Sequence, residues 1–410
     1  MSESAVVTID RIATGGDGVG RLDGMVVFTP RTAPGDRVRV RLRRERRFAR
    51  GIVEQVEAAG PDRITAPCPS YDGAACGGCQ LQHLTLDAQR AAKQMMIVDA
   101  FARIARRTIP LPPMATVGAP WGYRLKLTME LRRAGSRYIA GLHRFDAPDT
   151  LVPFDDCAIT DPRVLAVWRA ILDVSIQLPH APSLRASVRV DGDDVLVHVE
   201  GARTWNTLAE FADALPQVAA IWWTPEQGGR RVVIERRAAA HPGASFAQVN
   251  AAVGAAMHAE VLAAVRAAAP RTLLDAYSGT GALAIACAGD GVRVTAVELD
   301  PDATAWAAAH LPPPSRAIAA RVEDVIHSHL PADVVVVNPP RAGVDAAVTT
   351  ALDRAVGVKR LVYVSCDPAT LARDVGRLPH WRVETVQAFD MFPQTAHVET
   401  VAVLTPEGAA

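Results

Sequence analysis

Lysine is almost missing from this chain of 410 residues: Lys93, Lys126 and Lys359 are the only ones, so nearly all positive charge is arginine. Arginine's planar fork suits phosphates and base edges, but an arginine- and alanine-rich composition also follows from genome composition, and the bias alone leaves both open. An excess of either charge is missing as well. The 44 basic residues balance 44 acidic ones, so bulk charge argues neither for nor against a polyanionic partner. No uncharged apolar stretch is long enough for a transmembrane helix, which takes about 18 residues. The N-terminal MSESAVVTID lacks the basic-then-apolar order of a secretory signal. A cytoplasmic location and no membrane association are therefore expected. In that compartment the six cysteines stay reduced, and clustered ones serve metal binding or catalysis rather than disulfides. There is no internal repeat and no low-complexity tail. What is present is a chain with 49% hydrophobic residues, long enough for two or three domains with substantial cores.

Residues 1–58 read as a small β domain. Val6–Ile9, Met25–Phe28, Val38–Leu42 and Gly51–Val53 are short β-prone runs, with glycine turns (Gly15, Gly16, Gly18, Gly20, Gly24) between the first two and a Pro34-Gly35-Asp36 turn later. Short strands at that density predict a small OB-like barrel. Period-two alternation puts Arg37, Arg39, Arg41 and Arg43 on one strand face, and Arg44, Arg46, Arg47 and Arg50 follow with only Glu45 opposing. That local excess fits a nucleic-acid-facing surface better than a charge-protected edge. Residues 59–240 read as a cysteine-rich loop, a helix within Thr85–Arg106, and a mixed α/β central domain with an antiparallel sheet. Arg124, Lys126, Arg132, Arg133, Arg137 and Arg144 lie on or near its first hairpin. Residues 241–410 alternate apolar strands (Thr272–Ala276, Val292–Leu299, Val334–Asn338, Leu361–Cys366, Thr400–Leu404) with Ala-rich helices, which predicts a doubly wound Rossmann-like sheet.

Three places in that last segment carry chemistry. Asp275-Ala276-Tyr277-Ser278-Gly279-Thr280-Gly281 joins a strand to a helix, and its glycines let a ligand approach the backbone. Glu298 closes the next strand, 17 residues after Gly281, where a carboxylate can accept from ribose hydroxyls. The G-x-G-x-x-G of nicotinamide enzymes is incomplete, because Ala284 stands at the third glycine. Asn338-Pro339-Pro340-Arg341-Ala342-Gly343 and Ser365-Cys366-Asp367-Pro368 both leave the carboxyl ends of strands, where open α/β sheets bind ligands. Asp390 to Glu399 adds a further polar run, and Ser245-Phe246-Ala247-Gln248 lies upstream. Arg341 and Arg373 are candidate sources of positive field for a Cys366 thiolate, or phosphate contacts, and Cys287, inside an apolar helix, reads as core. Separately, Cys68, Cys76 and Cys79 form C-x7-C-x2-C, and Cys157 is a fourth thiol; the spacing suits either zinc or an iron–sulfur cluster.

The stretch Ile9-Asp10-Arg11-Ile12-Ala13 through Gly15–Gly20, then Pro34-Gly35-Asp36, resembles a TRAM domain, an RNA-binding module. The D-x-x-x-G-x-G turn with its distant Glu298 resembles class I S-adenosylmethionine methyltransferases. With S-C-D-P-A-T-L-A-R-D around Cys366 and D-M-F-P-Q-T-A-H-V-E ending at Glu399, most of the chain closely resembles the RNA uracil-5-methyltransferase family. That resemblance implies S-adenosylmethionine as cofactor and methyl transfer to C5 of a uridine in ribosomal or transfer RNA. It puts Gln248, Tyr277, Gly279, Glu298 and Asn338 at the cofactor, Cys366 as nucleophile and Glu399 as general base. C-G-G-C-Q-L-Q-H-L resembles members carrying a [4Fe-4S] cluster, with Cys68, Cys76, Cys79 and Cys157 as ligands and zinc as the alternative. RNA is the expected partner, with no obligate protein partner. Asn338 departs from the Asp usual in the family. The N-P-P wording also occurs in N-methyltransferases acting on exocyclic amines, and an RNA-binding protein with a silent methyltransferase domain is the other alternative.

Overall fold

A computed structural model of the chain describes residues 3–237 and 248–408, so Phe246 and its neighbours Ser245 and Ala247 lie outside the described residues. Five strands, β1 (Glu3–Ile12), β2 (Gly18–Leu22), β3 (Met25–Thr29), β4 (Arg37–Arg44) and β5 (Ala49–Ala58), close a barrel in the order β1-β2-β3-β5-β4. Val7, Ile9, Val27, Val38 and Val40 fill it, and the alternation of β4 leaves Arg37, Arg39, Arg41 and Arg43 exposed. The glycine-rich stretch is not all turn. Gly18 and Gly20 sit within β2 and face atoms too close for any side chain: a Cβ on Gly18 would meet Thr32 Oγ1 at 2.1 Å, and one on Gly20 the carbonyl of Thr8 at 2.2 Å.

Beyond the barrel come α1 (Pro69–Asp72), α2 (Leu86–Ala100), with Thr85 Oγ1 accepting from Ala88 N–H as N-cap, and the short β6 (Met114–Ala115). Next are β7 (Lys126–Ala134), β8 (Arg137–His143), β9 (Leu151–Pro153), α3 (Pro162–Asp173), β10 (Ser183–Asp191), β11 (Asp194–Glu200), α4 (Leu208–Asp213), β12 (Ala220–Thr224) and β13 (Arg231–Glu235). The last segment holds α5 (Ala251–Ala267), β14 (Thr272–Ala276), α6 (Ala282–Gly289), β15 (Arg293–Glu298), α7 (Pro301–His310), β16 (Arg316–Ala319), α8 (Val322–Val325), β17 (Val334–Val337), α9 (Ala346–Arg354), β18 (Arg360–Ser365), α10 (Pro368–Gly376), β19 (Trp381–Phe389) and β20 (Glu399–Pro406). Among the described residues no helix is long and apolar enough to cross a membrane.

The chain divides into two compact units: Met1–Thr65 with Gln80–Val117 and Ala252–Ala410, and Ala66–Cys79 with Gly118–Ala251. The second unit is built on a seven-stranded sheet, β13-β12-β11-β10-β7-β8-β9. It is antiparallel except where β11 runs parallel to β12, because the helix α4 sits in the connection between them. Leu127, Met129, Val188, Val197 and Val199 pack one face against Val164, Trp168 and Ile171 of α3.

In the first unit an eight-stranded sheet runs β16-β15-β14-β17-β18-β20-β19-β6. β14 to β18 are parallel, and β14, β17 and β18 are buried on both faces. Leu274, Val335, Val337 and Tyr363 point to one core, and Leu273, Val334, Val336, Val362 and Val364 to the other, which is why these strands are continuously apolar. The strands outside the expected set are β16 and β6, the two edges, and β19, whose alternation breaks at a bulge between Val383 and Thr385. This fold generates a paired prediction. Gly20→Ala places a methyl on the Thr8 carbonyl and should cost about 1–3 kcal/mol. Gly289→Ala, on an exposed helix end with open space around it, should be neutral or stabilise by up to about 1 kcal/mol. Thermal unfolding of the two variants side by side checks both signs.

Candidate active site

Three loops leave the carboxyl ends of the adjacent strands β14, β17 and β18, so the fold brings them to one edge of the sheet. After β14 the backbone turns through the left-handed region at Tyr277 (φ +61°), Gly279 (φ +56°) and Gly281 (φ +76°). Gly281 must be glycine on packing grounds as well, since a Cβ there would lie 2.8 Å from the Cβ of Ala307 on α7. Glu298 pins this turn. Its carboxylate accepts from Gly279 N–H at 2.9 Å, Leu299 N–H at 2.8 Å and Asp300 N–H at 2.9 Å. A carboxylate has roughly four acceptor positions, so one direction is left for an outside donor such as a ribose hydroxyl. Two further polar atoms at the turn, Asp275 Oδ2 and Ser278 Oγ, are buried without a hydrogen-bond partner among the described residues. Burial pushes the Asp275 carboxyl up to about 7, with the Glu298 charge adding to it and a backbone N–H from Ala284 opposing. Orphaned acceptors beside a glycine turn are what a polar, amino- and hydroxyl-bearing cofactor would satisfy, so the residues fit S-adenosylmethionine. Tyr277 is half-buried and packs on the core below the turn; burial, then the acids Glu323 and Asp345, raise its phenol above the ordinary value. Asn338 is exposed at the end of β17, with its backbone N–H on the carbonyl of Ala276 at 3.2 Å.

Cys366 and Glu399 meet because β20 runs antiparallel to β18. Ser365 pairs with Thr400, and the next residue on each strand is Cys366 and Glu399. Thr400 Oγ1 donates to the Ser365 carbonyl at 3.1 Å, which closes the ladder at its last rung. Glu399 is buried, and that burial pushes its carboxyl up to about 7 while Arg341 pulls the other way. The Cys366 thiol is raised by burial first and by the Glu399 charge second; Arg341 opposes both. Cys366 is therefore a thiol at rest rather than a preformed thiolate. Asp367 caps α10, accepting from Thr370 N–H at 2.8 Å, and so fixes the loop that carries Cys366.

Sequence reading missed the group that holds these loops together. Asp374, fully buried on α10, accepts from Tyr363 Oη at 2.7 Å, Val344 N–H at 3.0 Å and Arg373 Nε at 2.9 Å. It thereby ties the Pro340–Gly343 loop, which carries Arg341, to the helix behind Cys366. Gly343 allows this contact, since its Cβ would lie 2.3 Å from Thr370 Cγ2. Arg373 is engaged here, on Asp374 and on the Ala342 carbonyl at 2.8 Å; of the two arginines expected near the thiol, Arg341 is the one whose charge lowers it. The loop leading to Glu399 is held likewise by α2. Buried Lys93 donates to Asp390 at 2.6 Å and to the Phe392 carbonyl at 3.0 Å, and Gln89 exchanges hydrogen bonds with Gln394. A lysine in a chain that otherwise uses arginine was the available signal for this position.

Gln248 is half-buried in the second unit, in the chain before α5. Exposed His397 lies edge-on to Phe392. Cys287 is core, its thiol pushed up to about 12 by burial. The four loop cysteines are all reduced in the second unit. Cys68, Cys79 and Cys157 share an apolar cluster with Tyr71, Trp121 and Tyr123, and Cys76 Sγ accepts from Gly78 N–H at 3.5 Å. Burial raises the Cys157 thiol. Among the described residues no group of three or more Cys, His, Asp or Glu side chains is arranged to hold a metal ion. The metal expectation for Cys68, Cys76, Cys79 and Cys157 is therefore not met by the side chains as they stand. The donor set fits an iron–sulfur cluster or zinc in kind only.

A family model described as tRNA (Uracil-5-)-methyltransferase matches residues 315–407, and a TRAM domain model matches residues 5–53. Among curated relatives, an uncharacterized RNA methyltransferase of Listeria monocytogenes serotype 4b is 31% identical over 97% of this chain and 96% of its own length. Another, from Thermosynechococcus vestitus, is 32% identical over 97% of each. The crystal structure of Pyrococcus abyssi tRNA (uracil-54, C5)-methyltransferase in complex with S-adenosyl-L-homocysteine superposes with a TM-score of 0.70, covers 97% of this chain and 99% of that one, and is 22% identical, a likeness of fold.

The raised Glu399 carboxyl makes stability depend on pH. A carboxyl near 7 in the folded chain and at 4.5 when unfolded binds its proton more tightly when folded, so its contribution is full below 4.5 and is lost as pH rises through about 7. Glu399→Gln should therefore leave the unfolding temperature unchanged near pH 4.5 and raise it at pH 8, by up to about 3 kcal/mol of stability. Unfolding curves at the two pH values read the difference.

Proposed function

This chain belongs to the RNA (uracil-5-)-methyltransferase family, and from that premise we propose that it methylates C5 of a uridine in RNA through a covalent bond from Cys366 to C6. The observation that carries the reading is the pairing of Cys366 with a buried carboxyl near neutrality, Glu399, at the edge that also bears the Glu298-pinned turn. Bound S-adenosylmethionine supplies the electrophilic methyl group. Tyr277, Gly279, Glu298 and Asn338, with Gln248, are its proposed contacts.

The chemistry asks for these residue types. C5 of uracil is a poor nucleophile. Cys366 loses its proton to solvent and its sulfur bonds to C6; the C5=C6 electron pair shifts to make an enolate whose C5 takes the methyl. Glu399 then removes the C5 proton, the C5=C6 bond re-forms, and the Cys366 sulfur leaves with its electron pair. Glu399 suits that task because a base near 7 is ionised at working pH yet basic enough to take the proton. Arg341 offsets the charge shared by Cys366 and Glu399. Attack at C6 needs the ring face, so the uridine must be unstacked, and the barrel arginines supply backbone affinity. An RNA substrate suits work in the cytoplasm. We also propose that Cys68, Cys76, Cys79 and Cys157 together hold a [4Fe-4S] cluster or zinc with a structural role; no catalytic step passes through it.

The decisive experiment uses RNA containing 5-fluorouridine. Fluorine cannot be abstracted from C5, so a denaturation-stable protein–RNA adduct should accumulate and should vanish in Cys366→Ala. No adduct, with methylation intact in Cys366→Ala, would overturn the reading in favour of amine methylation through Asn338; binding without methylation would indicate a silent domain. Methylation of ordinary RNA should fall as pH drops below about 7, because Glu399 then carries a proton. The loss should exceed about 100-fold in Glu399→Gln, with adduct trapped on unmodified RNA. For the cysteines, anaerobically purified protein should contain iron and acid-labile sulfide, or zinc, that Cys79→Ser removes; metal-free protein with an unchanged unfolding temperature would refute that assignment.

A further inference from the structure

The loop from Arg341 to Val344 is fixed peptide by peptide, mostly by side chains of α10. The Arg341 carbonyl accepts from Thr370 Oγ1 at 3.2 Å, and the Ala342 carbonyl from Arg373 at 2.8 Å. Gly343 N–H closes a turn on the Pro340 carbonyl at 2.8 Å, and Val344 N–H donates to Asp374 at 3.0 Å. Thr370, Arg373 and Asp374 are spaced three and four apart, so they share one face of the helix. Gly343, at φ +78°, lets the loop lie against that face: a Cβ there would be 2.3 Å from Thr370 Cγ2 and 2.4 Å from Asp374 Oδ2.

Asp374 is the hub of this contact. One carboxylate oxygen takes Val344 N–H and the Tyr363 hydroxyl, the latter at 2.7 Å; the other takes Arg373 at 2.9 Å and Arg377 at 3.2 Å. Those fill roughly all the acceptor positions a carboxylate has, and the group is fully buried. Tyr363 lies on β18, three residues before Cys366, so the hub joins the strand and the helix on either side of the thiol to the loop that carries Arg341. The Arg341 side chain is exposed and makes no hydrogen bond or ion pair among the described residues, so its place is set by the backbone beneath it. Its charge nevertheless matters. At Cys366 it opposes burial and the Glu399 charge, with Asp367 acting on the side of Glu399; at Glu399 it opposes burial.

We propose that Asp374 is a positioning residue for the reaction: with Tyr363 and Thr370 it fixes the backbone that carries Arg341, and so keeps the Arg341 charge where it acts on Cys366 and Glu399. The inference rests on the covalent reading above and adds to it the group that keeps the facing pair supplied with a cation. On an untethered loop the guanidinium would lie farther off in water on average, where its effect on a neighbour falls away. Asp374→Asn keeps the shape but sets an amide N–H₂ against either Val344 N–H or the two guanidinium groups, so one side of the clamp opens. Sign then separates two roles for Asp374. Deleting a negative charge by itself eases ionisation of a nearby thiol, whereas releasing Arg341 makes it harder.

The test follows alkylation of Cys366 by iodoacetamide in the full chain, resolved by peptide mass spectrometry and repeated across a pH series, with unfolding temperature as the check on folding. In Asp374→Asn, Gly343→Ala and Thr370→Val the midpoint should rise, and alkylation near pH 8 should slow by about three- to tenfold, as it should in Arg341→Gln. Adding Gly343→Ala to Arg341→Gln should change nothing further, and Thr370→Ser, which keeps the hydroxyl, should keep the wild-type midpoint. Adduct formation on 5-fluorouridine RNA should slow in step with alkylation. If the folded variants or Arg341→Gln keep the wild-type midpoint, or if Asp374→Asn lowers it, the positioning assignment is overturned while trapping by the wild type leaves the functional reading standing. If the wild type forms no adduct, the functional reading fails, and the alkylation series still decides whether Asp374 holds Arg341 in place. Should Asp374→Asn not fold, Gly343→Ala and Thr370→Val decide on the same readout.

Discussion

β20 runs antiparallel beside β18, and the candidate site depends on that pairing. In the parallel part of the sheet every carboxyl end emerges on the same edge, so loops meet loops. Reversing one strand brings the beginning of β20 to that edge, and the Ser365–Thr400 rung delivers Cys366 and Glu399 as a facing pair. The backbone hydrogen bonds of that rung, with the Asp367 cap behind them, hold the proposed nucleophile and its proposed base in place. The same reversal buries Glu399 and so brings its carboxyl toward neutrality.

The buried acids of the first unit fall into two kinds. Asp374 and Asp36 are saturated. The first takes Tyr363, Val344 and Arg373. The second takes Ala33 N–H at 2.6 Å, Gly60 N–H at 2.8 Å and Arg63, so that donors outweigh burial and hold its carboxyl below the ordinary value. Asp390 is matched by Lys93 in the same way. Such donors offset the cost of burying a carboxylate, and these groups anchor loops. Asp275 and Glu399 are equally hidden but poorly supplied with donors, and burial pushes both up to about 7. Perturbed groups of this kind mark sites that expect an outside partner. Here they lie on the two flanks of one sheet edge, one beside the glycine turn and one beside the thiol.

Much of this was legible in the chain itself. The doubly wound sheet follows from strands apolar at every position, and the barrel from short β runs broken by glycine. Arg37, Arg39, Arg41 and Arg43 share an exposed face because alternation in β4 demands it. What escaped reading has physical causes. β2 hides its strand character in glycines that are there because Thr8 and Thr32 approach too closely for a side chain. β19 loses its alternation at a bulge. The Asp374 clamp and the Lys93–Asp390 pair join residues that no local pattern connects; the latter spans from α2 to the loop before β20. The Cys68, Cys76, Cys79 and Cys157 spacing suits a metal, yet spacing does not orient side chains, and among the described residues these thiols do not form a metal-holding group as they stand.

A displaced thiol pKa does not single out the nucleophile. Burial raises Cys157, Cys287 and Cys366 alike. Cys287 lies in an apolar helix, and the acids Asp275 and Asp290 raise its thiol further while Arg266 opposes them. Cys157 lies among aromatic rings of the cysteine loop. Cys366 differs by its company. It ends a parallel strand, a carboxyl near neutrality faces it across the last rung of the sheet, and the arginine opposing both charges is carried on a loop clamped by Asp374. A thiol that rests protonated is spared indiscriminate reaction, since the thiolate is the reactive form. The raised thiol of Cys366 therefore suits the proposed role, in which it engages a seated pyrimidine and little else.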